Sequence, residues 1–153
     1  LYELLADIGP ALLLKVLQDL PGHLANASIQ DDSLACYAAK IEKSEALIDW
    51  REPAAVIARR IRAFNPAPGC YSFLQGQRLK IWDAQPTAGS PGGSPGSILE
   101  STDHGISVCC GSGAVLLETL QMAGSRAMRA SDLLRGHAAL FVPGHCFASE
   151  AET

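Results

Sequence analysis

The stretch Arg59-Arg60-Ile61-Arg62-Ala63-Phe64-Asn65-Pro66-Ala67-Pro68-Gly69 runs into Cys70-Tyr71-Ser72-Phe73-Leu74, the turn Gln75-Gly76, and Arg78-Leu79-Lys80-Ile81-Trp82-Asp83-Ala84. Proline removes a backbone donor and crowds the preceding turn, so a helix carrying Arg59 to Phe64 has to stop at Asn65-Pro66-Ala67-Pro68. Beyond the stop, helical spacing gives way to alternation. That alternation puts Arg78, Lys80 and Trp82 on one face of a strand and Leu79 and Ile81 on the other. The helix is entered from Asp49-Trp50, with Pro53 in its first turn, a favoured place for proline. Ile57, Ile61 and Phe64 share the core-facing side, Arg59 and Arg62 lie opposite, and Arg60 sits at the boundary.

From residue 70 onward, short apolar runs are separated by glycine turns. They predict strands at 70–75, 78–84, 97–102, 105–110 and 114–121, with turns at Gln75-Gly76, Asp103-His104-Gly105 and Gly111-Ser112-Gly113. The segment Pro86 to Gly96, rich in Gly, Ser and Pro, is expected to be a flexible surface loop. Five short strands around one helix predict a mainly β domain with helices, an OB-like small β-barrel, closed or partly closed. After the fifth strand, Ser131-Asp132 is expected to cap a short helix ended by Gly136. Phe141-Val142-Pro143-Gly144 is expected to fold back as a closing segment.

Upstream, Leu4, Leu5, Ile8, Leu12, Val16 and Leu20 recur at helical steps and predict an amphipathic helix over 3–20. Gly9-Pro10 should weaken or kink its first turns and Pro21-Gly22 should stop it. Such a helix needs an apolar surface to cover its leucine stripe, so Leu4, Ile8, Leu12 and Val16 are expected to be exposed, docked elsewhere or disordered. Residues 21–49, with Asp31-Asp32 and Tyr37-Ala38-Ala39-Lys40-Ile41, read as a linker.

The 153 residues suffice for one domain with a core or a small domain plus an appendage, and 48% apolar with 18% charged residues is ordinary globular composition. No apolar run approaches the roughly 18 residues that span a bilayer. With no basic region before the apolar residues after Leu1, no signal peptide is expected, and an internal start within a longer protein is. Cys36, Cys70, Cys109, Cys110 and Cys146 form no C-x-x-C pair and are expected to be free buried thiols. His23, His104, His137 and His145 are scattered, and no metal site is expected. The net charge of −4 is uneven: residues 1–50 hold three basic and eight acidic side chains, residues 51–148 nine basic and six acidic. No P-loop, G-x-S-x-G or dinucleotide fingerprint is present. Basic residues bind RNA through phosphate charge and need only a contiguous patch, and a basic strand with an aromatic on the same face suits such a surface. A solvated polar face with Trp82 packed under a loop accounts for the same residues without a ligand.

The helix stop at Asn65-Pro66-Ala67-Pro68 and the hairpin ending in Lys80-Ile81-Trp82-Asp83-Ala84 resemble the start of the C-terminal domain of the methionyl-tRNA formyltransferase family. The resemblance continues through Pro95-Gly96-Ser97-Ile98-Leu99, Gly105-Ile106-Ser107-Val108, Leu120 to Met128 and Asp132-Leu133-Leu134-Arg135-Gly136. Upstream it takes in Leu1-Tyr2 with Leu5 and Tyr37-Ala38-Ala39-Lys40. One departure is Ser125-Arg126, where many relatives carry two lysines. The resemblance implies four segments: 1–20 as the last helix of a catalytic domain lying outside this chain, 21–49 as the interdomain linker, 50–148 as an OB-like tRNA-binding domain, and 149–153 as a tail. It implies initiator methionyl-tRNA as partner, contacted by Lys40, Arg59, Arg62, Arg78, Lys80, Arg126 and Arg129, with Lys43 beside the tRNA path. The donor, 10-formyltetrahydrofolate, and all catalytic residues would belong to the N-terminal domain, joined in cis, so no cofactor and no catalytic residue is expected here. It also implies a cytoplasmic, bacterial and monomeric full enzyme. Two alternatives stay open: a related formyltransferase or hydrolase of nucleotide-sugar or formyltetrahydrofolate type, and a stand-alone OB-type RNA-binding module.

Overall fold

A computed structural model describes residues 1–87 and 92–148. The chain divides into two compact units, residues 1–39 and 40–153.

In the first unit, helix α1 (Tyr2–Gln18) runs through Gly9-Pro10 without a break. Pro10 deletes one intrahelical bond, and the surrounding Leu, Ala and Lys favour continuation past it. None of its residues is buried, and Leu4, Ile8 and Leu12 are exposed. Pro21-Gly22 does not end helical structure. The turn of chain comes at Asp19, whose carboxylate accepts from the Gly22 N–H at 3.1 Å and caps a second helix, α2 (Leu20–Ala25), with Pro21 in its first turn. Proline read as a stop is here a start, since the first helical turn needs no donor from it.

The second unit is an antiparallel barrel. Helix α3 (Ala54–Ala63) starts directly after Pro53, where the Ala54 N–H donates to the Ser112 carbonyl at 2.9 Å. Its buried side chains are Ala54, Ile57, Ala58 and Ile61, with Phe64 packed at the rim, while Arg59 and Arg62 are exposed. The strands follow in order: β1 (Tyr71–Leu74), β2 (Gln77–Thr87), β3 (Ile98–Thr102), β4 (Gly105–Cys109) and β5 (Ala114–Met122). Two short strands, β6 (Met128–Arg129) and β7 (Phe147–Ala148), flank helix α4 (Ala130–His137). The spatial order is β3-β4-β5-β2-β1-β7, with β6 pairing on β5. The ends of this path meet: Ser97 bridges Cys146, the Ile98 N–H donates to the His145 carbonyl and the Phe147 N–H to the Gly96 carbonyl, both at 2.8 Å. The expected OB-like barrel is therefore present, but the segment that closes it is 144–148 and not the expected 141–144, because the bonds to the 96–98 strand end are made by Gly144, His145, Cys146 and Phe147.

One core fills the barrel. Ile57 and Ile61 of α3 meet Leu79 and Ile81 of β2, Val115, Leu117 and Leu120 of β5, Phe141, and Phe147 from the closing segment. Each such side chain removed from water contributes about 1.5–3 kcal/mol. The β1–β2 hairpin turns on Gln75 and Gly76, both with positive φ (48° and 72°), the two-residue geometry that suits the right-handed twist of its strands.

Two other expectations are corrected. Ser131-Asp132 does not cap α4: the helix begins at Ala130, Arg129 occupies the cap position without a side-chain bond, and Gly136 lies inside it. The β5–β6 pairing already delivers the chain in extended form to Arg129, so the helix starts where the strand ends. Of the five thiols, Cys70, Cys109 and Cys110 are buried, but Cys36 and Cys146 are exposed. Burial pushes the Cys70 thiol up to about 11 and the Cys110 thiol up to about 12, so neither is a thiolate nucleophile near neutral pH. The expected loop Pro86–Gly96 lies partly, and the tail 149–153 wholly, outside the described residues; Pro86 and Thr87 themselves extend β2, paired with Val115 and Ala114.

Candidate functional site

The face that gathers unneutralised charge is built on the β1–β2 hairpin. In β2, Leu79 and Ile81 are buried while Arg78 is exposed and Lys80 and Trp82 are half-buried, so the alternation holds through Trp82. A register shift around Asp83 then interrupts it. In β1 the pattern is the reverse of what hydrophobicity alone dictates: Ser72 points inward and Tyr71 and Phe73 point outward. Serine is tolerated inside because both its bonding roles are used. The Trp50 indole donates to Ser72 Oγ at 2.9 Å, and that hydroxyl donates to the Ala148 carbonyl at 2.8 Å.

The outward aromatics and cations of the hairpin touch. Tyr71 is opposite Lys80 and Phe73 opposite Arg78. The Arg78 guanidinium lies 3.8 Å from the centre of the Tyr71 ring, and the Lys80 ammonium 5.6 Å from that of Trp82. The Trp82 indole is anchored by donating to Gln121 Oε1 at 2.9 Å. Two clefts flank this pair of cations. One, of about 260 Å³, is lined by Lys43, Pro68, Gly69, Tyr71, Arg78 and Lys80; the other, of about 190 Å³, by Arg78, Lys80 and the β5–β6 turn Gln121 to Gly124.

Three arginines of the domain are neutralised internally. Arg51 pairs with Asp49 at 2.7 Å, Arg60 with Glu52 at 2.8 Å and Arg135 with Asp132 at 3.0 Å. Hydrogen bonds from Arg51 hold the Asp49 carboxyl down at about 2, so that pair is intact at neutral pH. Among the described residues, the basic side chains without an ion pair in this unit are Lys40, Lys43, Arg59, Arg62, Arg78, Lys80, Arg126 and Arg129.

These eight do not form one patch. Arg78, Lys80 and Lys43 converge on the larger of the two hairpin clefts. Arg126 is exposed two residues beyond Gly124, which lines the smaller one. Arg59 and Arg62 are exposed on α3, whose C-terminal end approaches β2 where the Asn65 side chain donates to the Trp82 carbonyl at 3.0 Å. Lys40 is exposed at the start of the unit. Arg129 is set apart: on β6, opposite Thr119, it lines a cleft of about 380 Å³ with Asp83, Asp103, His104 and Glu118. Three carboxylates around it make that cleft a poor place for a polyanion. Tyr71 and Phe73 are site residues that charge counting misses, and the signal for them is the alternation of β1 read outward.

Among the described residues, no His, Cys, Asp or Glu group is placed to hold a metal ion, and no helix is long and apolar enough to cross a membrane.

The fold and its exposed basic hairpin define a small OB-type barrel with helices α3 and α4 packed on its core. Its sequence matches the family model described as "Formyl transferase, C-terminal domain" over residues 40–138, and the chain belongs to that family. Among solved structures it is similar to HypX from Aquifex aeolicus in complex with tetrahydrofolic acid, at 19% identity and a TM-score of 0.57, over 80% of this chain and 22% of that one. A substituted variant of the same HypX matches at 19% identity and a TM-score of 0.60, over 86% of this chain and 23% of that one. The chain thus spans less than a quarter of the HypX chains it matches.

Proposed function

We propose that this chain is the C-terminal, tRNA-docking part of a methionyl-tRNA formyltransferase, the enzyme that formylates the methionine amino group of initiator tRNA from 10-formyltetrahydrofolate. The observation that carries the reading is the cluster Lys43, Arg78 and Lys80, three cations without a carboxylate partner on one cleft of a formyl transferase C-terminal domain. A polyanion is the ligand that such a surface neutralises, and the tRNA that the family resemblance implies is one. Arg59, Arg62, Arg126 and Lys40 extend the contact along the same molecule. The reading brings with it a donor site and catalytic groups in a preceding domain joined in cis, a monomeric full enzyme and a bacterial cytoplasm.

Binding should be weak, largely sequence-independent and steeply dependent on salt. Each neutralised phosphate contributes about −0.7 to −0.9 to the log–log slope. Arg62→Ala with Lys80→Ala should therefore flatten the slope by about 1.4 to 1.8 while leaving the fold intact, since Arg62 is exposed and Lys80 is only partly covered. Little preference for initiator over elongator tRNA is expected. Fluorescence anisotropy of labelled tRNA across a salt series reads all three, and binding indifferent to salt, or unchanged in the double variant, would leave these residues as a solvated surface. A related formyltransferase acting on a small substrate predicts no tRNA affinity at any salt.

The isolated chain is also expected to show no formyl transfer. Turnover of 10-formyltetrahydrofolate with charged initiator tRNA, in a preparation free of full-length enzyme, is the result that would contradict it.

A further inference from the structure

We infer that the Tyr71–Arg78 stack is a docking site for an unpaired nucleotide, so that the hairpin face takes a single-stranded or unstacked segment of RNA in preference to a regular duplex. This rests on the RNA-docking reading above and specifies which part of an RNA the face receives.

Phosphate attraction alone asks only for charge, and long solvated lysines would meet it. The face is built otherwise. Arg78 lies over Tyr71, its guanidinium carbon 3.8 Å from the ring centre, and the side chain is exposed, so a planar cation held on the ring remains open to a ligand. Tyr71 is itself held by an edge contact with Phe73, ring centres 5.9 Å apart, and by its cross-strand place opposite Lys80. Trp82, further along β2, is fixed by its bond to Gln121. Planar groups in fixed positions, interleaved with cations, are what a base needs in order to stack while its phosphates are neutralised.

The space agrees. The cleft of about 260 Å³ is lined by Arg78 and Tyr71 together with Pro68, Gly69, Lys43 and Lys80. It is smaller than the roughly 300 Å³ at which drug-sized ligand pockets begin, and of a size for one nucleotide unit. A duplex offers no such unit, because its bases are stacked on one another and its outer surface is phosphate and sugar.

The test separates charge from planarity. Arg78→Lys keeps the positive charge and removes the flat guanidinium; Tyr71→Leu removes the ring beneath it. Arg78 is exposed and Tyr71 partly so, and neither lies in the core. The chain of residues 1–153 is titrated, by anisotropy, with a labelled oligouridylate and with an RNA duplex of equal phosphate number. The wild type should bind the single strand several-fold more tightly. Arg78→Lys should weaken single-strand binding about tenfold, within the range that loss of one base stack produces, with the salt slope unchanged. Tyr71→Leu should do the same, and duplex binding should be insensitive to both. Equal affinity for the two RNAs, or an Arg78→Lys variant that binds the single strand as the wild type does, overturns this inference alone. No binding of either RNA overturns the RNA-docking reading together with it.

Discussion

Gly111→Ala should destabilise the barrel by about 2–4 kcal/mol, the largest effect expected from adding a single methyl group to this chain. The reason is the contact between the β4–β5 turn and the chain entering α3. The Gly111 N–H donates to the Trp50 carbonyl at 2.9 Å and also reaches that of Glu52 at 3.1 Å, so the two backbones lie against each other. A Cβ on Gly111 would fall on the Arg51 carbonyl oxygen. That atom is backbone and cannot rotate away, so the turn or the 50–53 segment has to move. Movement removes the Gly111 bonds and strains the neighbouring Ala54-to-Ser112 bond that satisfies the first free N–H of α3. Urea unfolding followed by circular dichroism measures the change. A midpoint like that of the wild type would show that the turn is loose and that the approach of Gly111 to Arg51 is not a constraint.

The effect reaches beyond the turn because α3 is the lid of the core and carries Arg59 and Arg62 on its outer side. Ile57 and Ile61 reach the interior only while the helix start is held at Ser112, and the same seating sets where the two arginines stand.

Most of the barrel was legible in the sequence because its long elements carry their own pattern. The five predicted strands all occur, with ends shifted by a residue or two except at β2, and Ile57, Ile61, Leu79 and Ile81 are buried as their spacing requires. The extra length of β2 was hidden by Pro86. Proline argues against a strand with two neighbours, but β1 pairs only with residues 77–80, so at Pro86 the strand has β5 alone as its ladder partner and the lost donor costs nothing there. Strands β6 and β7 were not legible at all. Two residues contain no periodicity, and what makes them strands is pairing with residues far away: Arg129 with Thr119, Phe147 with Leu74. The candidate site divides in the same way. Which cations are exposed follows from alternation and helical spacing. That Arg129 sits among Asp83, Asp103 and Glu118, and that Arg78 lies on Tyr71, depends on which strands become neighbours.

Phe147→Ala is expected to cost about 3–5 kcal/mol and to weaken RNA binding as well, and the second effect ties the closing strand to the site. Phe147 is buried, stands opposite Leu74, and packs on Trp50 with ring centres 5.3 Å apart. Its N–H bond to the Gly96 carbonyl and the adjacent pairing of Ser97 with Cys146 join the two ends of the sheet. A cavity the size of a phenyl ring at this seam takes contacts from Trp50 and leaves β7 held by little but its backbone bonds. The consequence for β1 is direct. With β7 in place, β1 is flanked by strands on both sides, and Ser72 is fixed by donating to the Ala148 carbonyl. With β7 released, β1 becomes an edge strand, Ser72 loses its acceptor, and Tyr71 and Phe73 gain freedom that has to be lost again before a base can stack on the Arg78 guanidinium. RNA affinity should therefore fall even under conditions where circular dichroism shows the barrel still folded, and the salt slope should stay as it was, because no cation has been removed. Affinity that tracks only the folded fraction would show that β1 keeps its shape without β7, and that closure of the barrel serves stability alone.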